Sequence, residues 1–94
     1  MRVSYSPLAL QQLNKIVAVI RTESPRGADR FGRRVDEVAQ LLAEHPRAGR
    51  RVNRMRVHVF PLSPFPYLLY YQVLPERDEV IIIRVRHGAR RRWA

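Results

Sequence analysis

The residues of this sequence best equipped for chemistry are basic and gather near its end: Arg84, Arg86, His87, Arg90, Arg91 and Arg92, closed by Trp93. They extend Val80-Ile-Ile-Ile83, a β-branched run that predicts a strand. Alternation along that strand puts Ile81, Ile83 and Val85 on a core face and Val80, Ile82, Arg84 and Arg86 on the opposite one. Upstream, Arg54, Arg56 and His58 alternate with Met55, Val57 and Val59, predicting a half-buried strand with a positive outer face. Guanidinium groups so placed bind oxyanions through paired hydrogen bonds, or dock an acidic partner. His87 adds a side chain that exchanges protons near neutrality, and His58 is the second candidate. Each histidine also has an ordinary structural use, closing a strand or packing within it. Acidic residues are too few and scattered for a paired-carboxylate site, and there is no glycine-rich phosphate loop or metal-ligand cluster. No metal or cofactor is expected.

These groups need a scaffold. Tyr67-Leu-Leu-Tyr-Tyr-Gln-Val-Leu74 reads as a strand, and the polar Pro75-Glu-Arg-Asp78 turns it back into the Val80 strand as an antiparallel hairpin. Tyr67 and Tyr71 share one face, while Tyr70 and Gln72 take the open face if Leu69 and Val73 point inward. Arg2 to Tyr5 alternates as a short edge strand. Ser6-Pro7 is a helix start, and Ala9, Leu13, Ile16, Val17 and Ile20 recur at helical spacing, giving a helix to about Arg21. Ser24-Pro25 repeats the start signal, and Ala28, Phe31, Val35, Val38 and Leu42 carry a second helix from Pro25 to Glu44. His45 at that helix end suits the dipole and is assigned no chemistry. The connector Thr22-Glu23-Ser24 is short enough to force the helices antiparallel. Pro46-Arg-Ala-Gly49 is a turn, and Phe60 to Pro66, with three prolines, reads as a stiff loop unable to join a ladder. The expectation is a single domain over residues 1–94 of the α+β class. In it an N-terminal antiparallel helical hairpin packs on a small, mostly antiparallel β-sheet in two layers, leaving the far face basic and open.

Composition narrows the partners. The formal charge is +10, and residues 47–94 hold 11 basic against 3 acidic side chains, so the charge concentrates in the C-terminal half. All but Lys15 of the 18 basic residues are arginine, which favours bidentate contact with phosphate or carboxylate. The absence of cysteine excludes a disulfide framework and thiolate metal sites, so a cytoplasmic location is expected. No apolar run approaches a membrane span or a signal peptide, so no membrane partner is expected.

Several segments, in their order and spacing, resemble the RelE/ParE superfamily of small toxins from bacterial type II toxin–antitoxin systems. They are Tyr5-Ser6-Pro7, Pro25 with Ala28-Asp29-Arg30-Phe31, Pro46-Arg-Ala-Gly-Arg50, Pro66-Tyr67-Leu-Leu-Tyr-Tyr71, and Ile83-Arg-Val-Arg-His-Gly-Ala-Arg90. The resemblance spans nearly the whole chain. It implies a toxin held inactive by a cognate antitoxin whose acidic, disordered C-terminal segment folds around it. It also implies one of two targets: RelE-like members cut messenger RNA on the ribosome, and ParE-like members inhibit DNA gyrase. The helical hairpin, the Ser-Pro starts and His87-Gly-Ala-Arg90 look closer to the ParE, or plasmid-stabilisation, branch.

On the gyrase reading, Arg90, Arg91, Arg92 and Trp93 are the target-binding residues. On the nuclease reading, His87, Arg84, Arg86 and Arg56 are the catalytic set: an acid or base for the ribose 2′-hydroxyl and leaving oxygen, with cations for the phosphorane. RelE-like nucleases commonly place a tyrosine or histidine with lysines or arginines at that strand end. Here the closing aromatic is Trp93, which has no titratable proton and either stacks on a base or caps the core. Arg54, Arg56, His58 and Tyr70 form the expected open basic face. A third reading, a non-toxic basic nucleic-acid-binding protein, rests on charge alone.

Overall fold

The computed structural model describes residues 1–52 and 54–89. The chain folds as β1 (Arg2–Tyr5), α1 (Pro7–Glu23), α2 (Pro25–Glu44), β2 (Arg50–Arg51), β3 (Val57–Pro61), β4 (Tyr67–Leu74) and β5 (Glu79–His87). The strands form one five-stranded sheet in the order β1-β5-β4-β3-β2, antiparallel except where β1 runs parallel to β5. The two helices cover one face, giving the expected two-layer α+β architecture.

Both serines cap as their position predicts. Ser6 Oγ accepts from the Ala9 N–H at 3.0 Å and donates to the Ile83 carbonyl at 3.1 Å, so the start of α1 is tied to β5. Ser24 Oγ accepts from the Gly27 N–H at 2.9 Å while the Ser24 N–H closes α1 on the Ile20 carbonyl at 2.8 Å. Helix α1 therefore runs two residues past Arg21, and the connector is Ser24 alone rather than three residues. Ala28, Phe31, Val35, Val38 and Leu42 of α2 are all buried. On α1 only Ala9 is; Leu13, Ile16, Val17 and Ile20 are half-buried at the margin of the core. Phe31 anchors the core, meeting the edges of Phe65 and Tyr67 at ring centroid distances of 5.3 and 5.6 Å. No helix is long and apolar enough to cross a membrane among the described residues.

The sheet departs from simple alternation in three places. The ladder of β4 and β5 pairs Tyr70 with Arg84 but Tyr71 with Ile82, leaving Ile83 as an extra residue in a bulge. One inserted residue inverts the face read, so Val80 and Ile82 join Val85 in the core, and Ile83 packs on the far side. The expected core set of Ile81, Ile83 and Val85 is thus corrected to Val80, Ile82 and Val85. Second, Arg54–Arg56 is a turn, with Arg56 at φ 64°, and β3 begins only at Val57. Val57 and Val59 consequently face away from the helices, where they join Tyr70, Val52, Leu68 and Ile83 in a small apolar cluster. The far face is not the open basic surface expected, because apolar residues occupy its centre. Third, Phe60 and Pro61 belong to β3, paired with Leu69 and Leu68; Pro61 is tolerated as the strand's last residue, and the loop shortens to Leu62–Pro66.

Candidate functional site

Basic side chains collect in two clefts on the helix side of the sheet, at opposite ends of β4. The larger, about 500 Å³, is lined by Arg47, Gly49, Arg51, Arg56, His58, Val73 and Pro75. The smaller, about 300 Å³, is lined by Gln12, Lys15, Ile16, Tyr67, Val85, Arg86 and His87. Tyr67 and Val73 lie six residues apart on one strand, which separates the clefts by roughly 20 Å.

The first cleft is built on the turn after α2. The His45 N–H closes the helix on the Leu41 carbonyl, and the Ala48 N–H bonds the His45 carbonyl. The Gly49 N–H then donates to the Tyr71 hydroxyl at 2.9 Å, which fixes the stretch carrying Arg47 and Arg51. A Cβ at Gly49 would lie 2.6 Å from both that hydroxyl and the Val59 carbonyl oxygen, so no side chain fits there. Tyr71 is fully buried, and burial raises its hydroxyl pKa above the ordinary 10.0, against the opposing pull of the Gly49 bond. His58, 8% exposed, stacks on the Tyr71 ring at 5.3 Å and 20°. Its Nδ1 lies 3.3 Å from the Arg56 carbonyl, which can only accept. In the neutral ring Nδ1 therefore carries the hydrogen, and Nε2 is left with a lone pair. Arg56 Nη1 bonds both oxygens of Glu76 at 3.0 and 3.1 Å. The Glu76 carboxyl is held below the usual carboxylate range first by its own backbone N–H and further by Arg56.

The second cleft is built where β5 runs past β1. There the Gln12 Oε1 accepts the Val85 N–H at 2.7 Å, clamping α1 to the strand edge. His87 meets the Tyr67 ring edge-on at 5.3 Å, and its Nδ1 accepts the Ala89 N–H at 3.0 Å. That bond places the neutral ring's hydrogen on Nε2, opposite to His58. Nη1 of Arg86 is buried and has no hydrogen-bond partner.

The expected catalytic set is not assembled. Arg56 lies in the first cleft, and Arg86 and His87 lie in the second. Arg84 is mid-strand, paired across the ladder with Tyr70. Nor do Arg54, Arg56, His58 and Tyr70 share a face: Arg54 and Arg56 are in the turn, His58 is on the helix side, and Tyr70 sits in the far-face apolar cluster. Arg90, Arg91, Arg92 and Trp93 lie outside the described residues. Sequence reasoning missed Arg47 and Arg51, although both flank the predicted Gly49 turn, and missed Gln12 and Lys15, one turn apart on α1. Among the described residues no group of three or more His, Asp or Glu could hold a metal ion.

Comparison with known proteins follows the fold. Residues 3–92 match the family described as ParE toxin of the type II toxin–antitoxin system parDE. The chain is 34% identical over 91 residues to toxin RelE3 of Caulobacter vibrioides, covering 96% of this chain and 97% of that protein. Among solved structures it is similar to a chain of the chromosomal ParDE toxin–antitoxin system of P. aeruginosa: the TM-score is 0.77 and identity 20%, covering 93% and 95% of the two chains. It is also similar to a chain of the intact E. coli RelBE toxin–antitoxin complex, at TM-score 0.67 and 22% identity, covering 96% and 98%.

Proposed function

Because this chain belongs to the ParE toxin family, within the RelE/ParE superfamily of type II toxin–antitoxin toxins, we propose that it arrests growth by binding DNA gyrase rather than by cutting RNA. The observation that carries this reading is the Ala89 N–H bond to His87 Nδ1. It occupies the ring's lone pair and turns Nε2 into a donor, so the histidine expected to be the base presents a binding group instead. Arg90, Arg91, Arg92 and Trp93, which follow this strand end in sequence, are the proposed gyrase contacts. A cognate antitoxin neutralises the toxin, and the +10 charge suits a partner segment rich in Asp and Glu that orders on binding.

The test is gyrase-catalysed supercoiling of relaxed plasmid with toxin titrated in and antitoxin added back. Inhibition reversed by antitoxin is expected, and a chain ending at Ala89 should lose it while keeping its fold by circular dichroism. Full gyrase activity in the presence of a toxin that still stops growth would sink the reading.

One observation favours a second reading, a ribosome-dependent messenger RNA endonuclease centred on the first cleft. There His58 Nε2 has the free lone pair that a base for a ribose 2′-hydroxyl needs, beside Arg47, Arg51 and Arg56 for the phosphorane charge. On that reading His58→Ala lowers ribosome-dependent cleavage by about 10²–10⁴-fold. Cleavage unchanged in that variant would rule His58 out.

A further inference from the structure

The second cleft has a chemical character that neither target reading uses. Its polar groups are donors. Lys15 and Arg86 have no acceptor to offer. The tautomer fixed by Ala89 makes His87 Nε2 a donor, and Gln12 spends its one acceptor oxygen on the Val85 N–H, leaving its amide N–H₂. No carboxylate lines the cleft, and among the described residues no ion pair involves Lys15, Arg86 or His87. The first cleft differs, since Glu76 already engages Arg56 there. Arg86 Nη1 is moreover buried without a partner, an arrangement that costs free energy unless an acceptor arrives from outside.

We propose that this cleft is a phosphate-ester site: Lys15, Arg86, His87 Nε2–H and the Gln12 amide grip the phosphate oxygens, and Ile16, Val85 and the Tyr67 ring hold the ester's organic part. The donors come from two elements, a turn of α1 and the end of β5, so they approach an oxyanion from different sides. That arrangement suits the several oxygens of a tetrahedral group better than the two coplanar oxygens of a carboxylate. A volume of about 300 Å³ is roughly ten times the share of one water, room for a substituent beyond a bare phosphate. The proposal does not depend on which target the toxin attacks, and loss of gyrase inhibition would leave it standing.

The experiment is a two-dimensional amide NMR titration of the purified toxin with inorganic phosphate, adenosine monophosphate, a short single-stranded oligonucleotide and acetate. Saturable shifts at Gln12, Val85 and His87 are expected with the phosphates. Adenosine monophosphate should bind more tightly than inorganic phosphate, and whichever of the nucleotide and the oligonucleotide binds more tightly identifies the source of the ester. Lys15→Gln, on an exposed position that leaves folding intact, should weaken the nucleotide by about tenfold, the loss of one charge-assisted bond, and Arg86→Gln by at least as much. Arg33→Gln, an exposed charge on α2 outside both clefts, should leave affinity unchanged. Equal weakening by Arg33→Gln would overturn the site in favour of diffuse attraction to a +10 surface. Acetate binding as tightly as phosphate, or no gain from the nucleotide over inorganic phosphate, would overturn the phosphate-ester assignment.

Discussion

The two clefts share a sheet face, a basic lining and one histidine each, yet they are finished in opposite ways. In the first, His58 is buried against Tyr71 and gives its Nδ1 hydrogen to the Arg56 carbonyl, so its remaining nitrogen is an acceptor. In the second, His87 takes a hydrogen at Nδ1 from Ala89, so its remaining nitrogen is a donor. The first contains an internal counter-ion for one of its arginines, Glu76, and the second has no acid in its lining. Identical residue types are thus set to proton transfer at one end and to anion capture at the other by a single backbone hydrogen bond each. The difference also predicts where damage spreads: the first cleft hangs on one buried tyrosine hydroxyl, whereas the second is clamped by α1 at the strand edge.

The largest effect should follow from Gly49→Val. Its Cβ would fall 2.6 Å from both the Tyr71 hydroxyl and the Val59 carbonyl oxygen, so the turn must move and take Arg47 and Arg51 with it. Destabilisation of about 1–3 kcal/mol is expected in urea denaturation at an unchanged slope. Heparin binding should weaken while the nucleotide shifts at Gln12 and His87 persist. If those shifts vanish with the first cleft's affinity, the clefts are not independent and the comparison fails.

Which parts of this organisation could be read beforehand follows from which interactions are local. The helices were legible, since Ser6, Ser24 and the five buried positions of α2 act within a turn or two of their own chain. The hairpin was legible too, because Pro75 to Asp78 is a local turn, with Asp78 taking the left-handed conformation at φ 49°. The clefts were not. Period-two reading assumes an unbroken strand, and the bulge at Ile83 with the turn at Arg54–Arg56 shifts that period at both places where the chemistry was assigned. Arg56 and His87 looked like partners because each ends a basic run, but strand register, a long-range property, puts them at opposite ends of β4. The bond from Gly49 to Tyr71 spans 22 residues and leaves no mark in local composition.

A smaller change separates the hydroxyl from the ring. Tyr71→Phe keeps the stacking surface for His58 but removes the acceptor of the Gly49 N–H, with an expected loss of about 1–3 kcal/mol. It should also alter the alkaline limb of stability. Tyr71 has its folded pKa raised above 10.0, so at pH above 10 the unfolded chain releases a proton that the folded chain retains. Stability is therefore complete below pH 10 and falls as pH rises through and beyond it. Tyr5, raised by burial and then by Asp36, contributes in the same direction. The phenylalanine variant should show a shallower alkaline decline, measured by denaturation midpoints between pH 8 and 11. An unchanged slope would mean that Tyr71 ionises equally in both states.

The smallest effect, and the sharpest test of the difference between the clefts, comes from Glu76→Gln. Glu76 and Arg56 are both largely exposed, so removing the charge should leave the denaturation midpoint within error. What should change is the charge that the first cleft presents. Arg56 loses its bidentate counter-ion, and heparin affinity should rise a few-fold at low salt and converge with the parent's as salt screens the difference. Acid should mimic the substitution in the parent protein: because the Glu76 carboxyl is held below the ordinary range, the gain appears only as pH falls beneath that range. The second cleft has no acid to lose, so its nucleotide affinity should not respond to Glu76→Gln at all. A parallel rise in both clefts would mean that long-range charge, rather than the local counter-ion, sets anion affinity on this face.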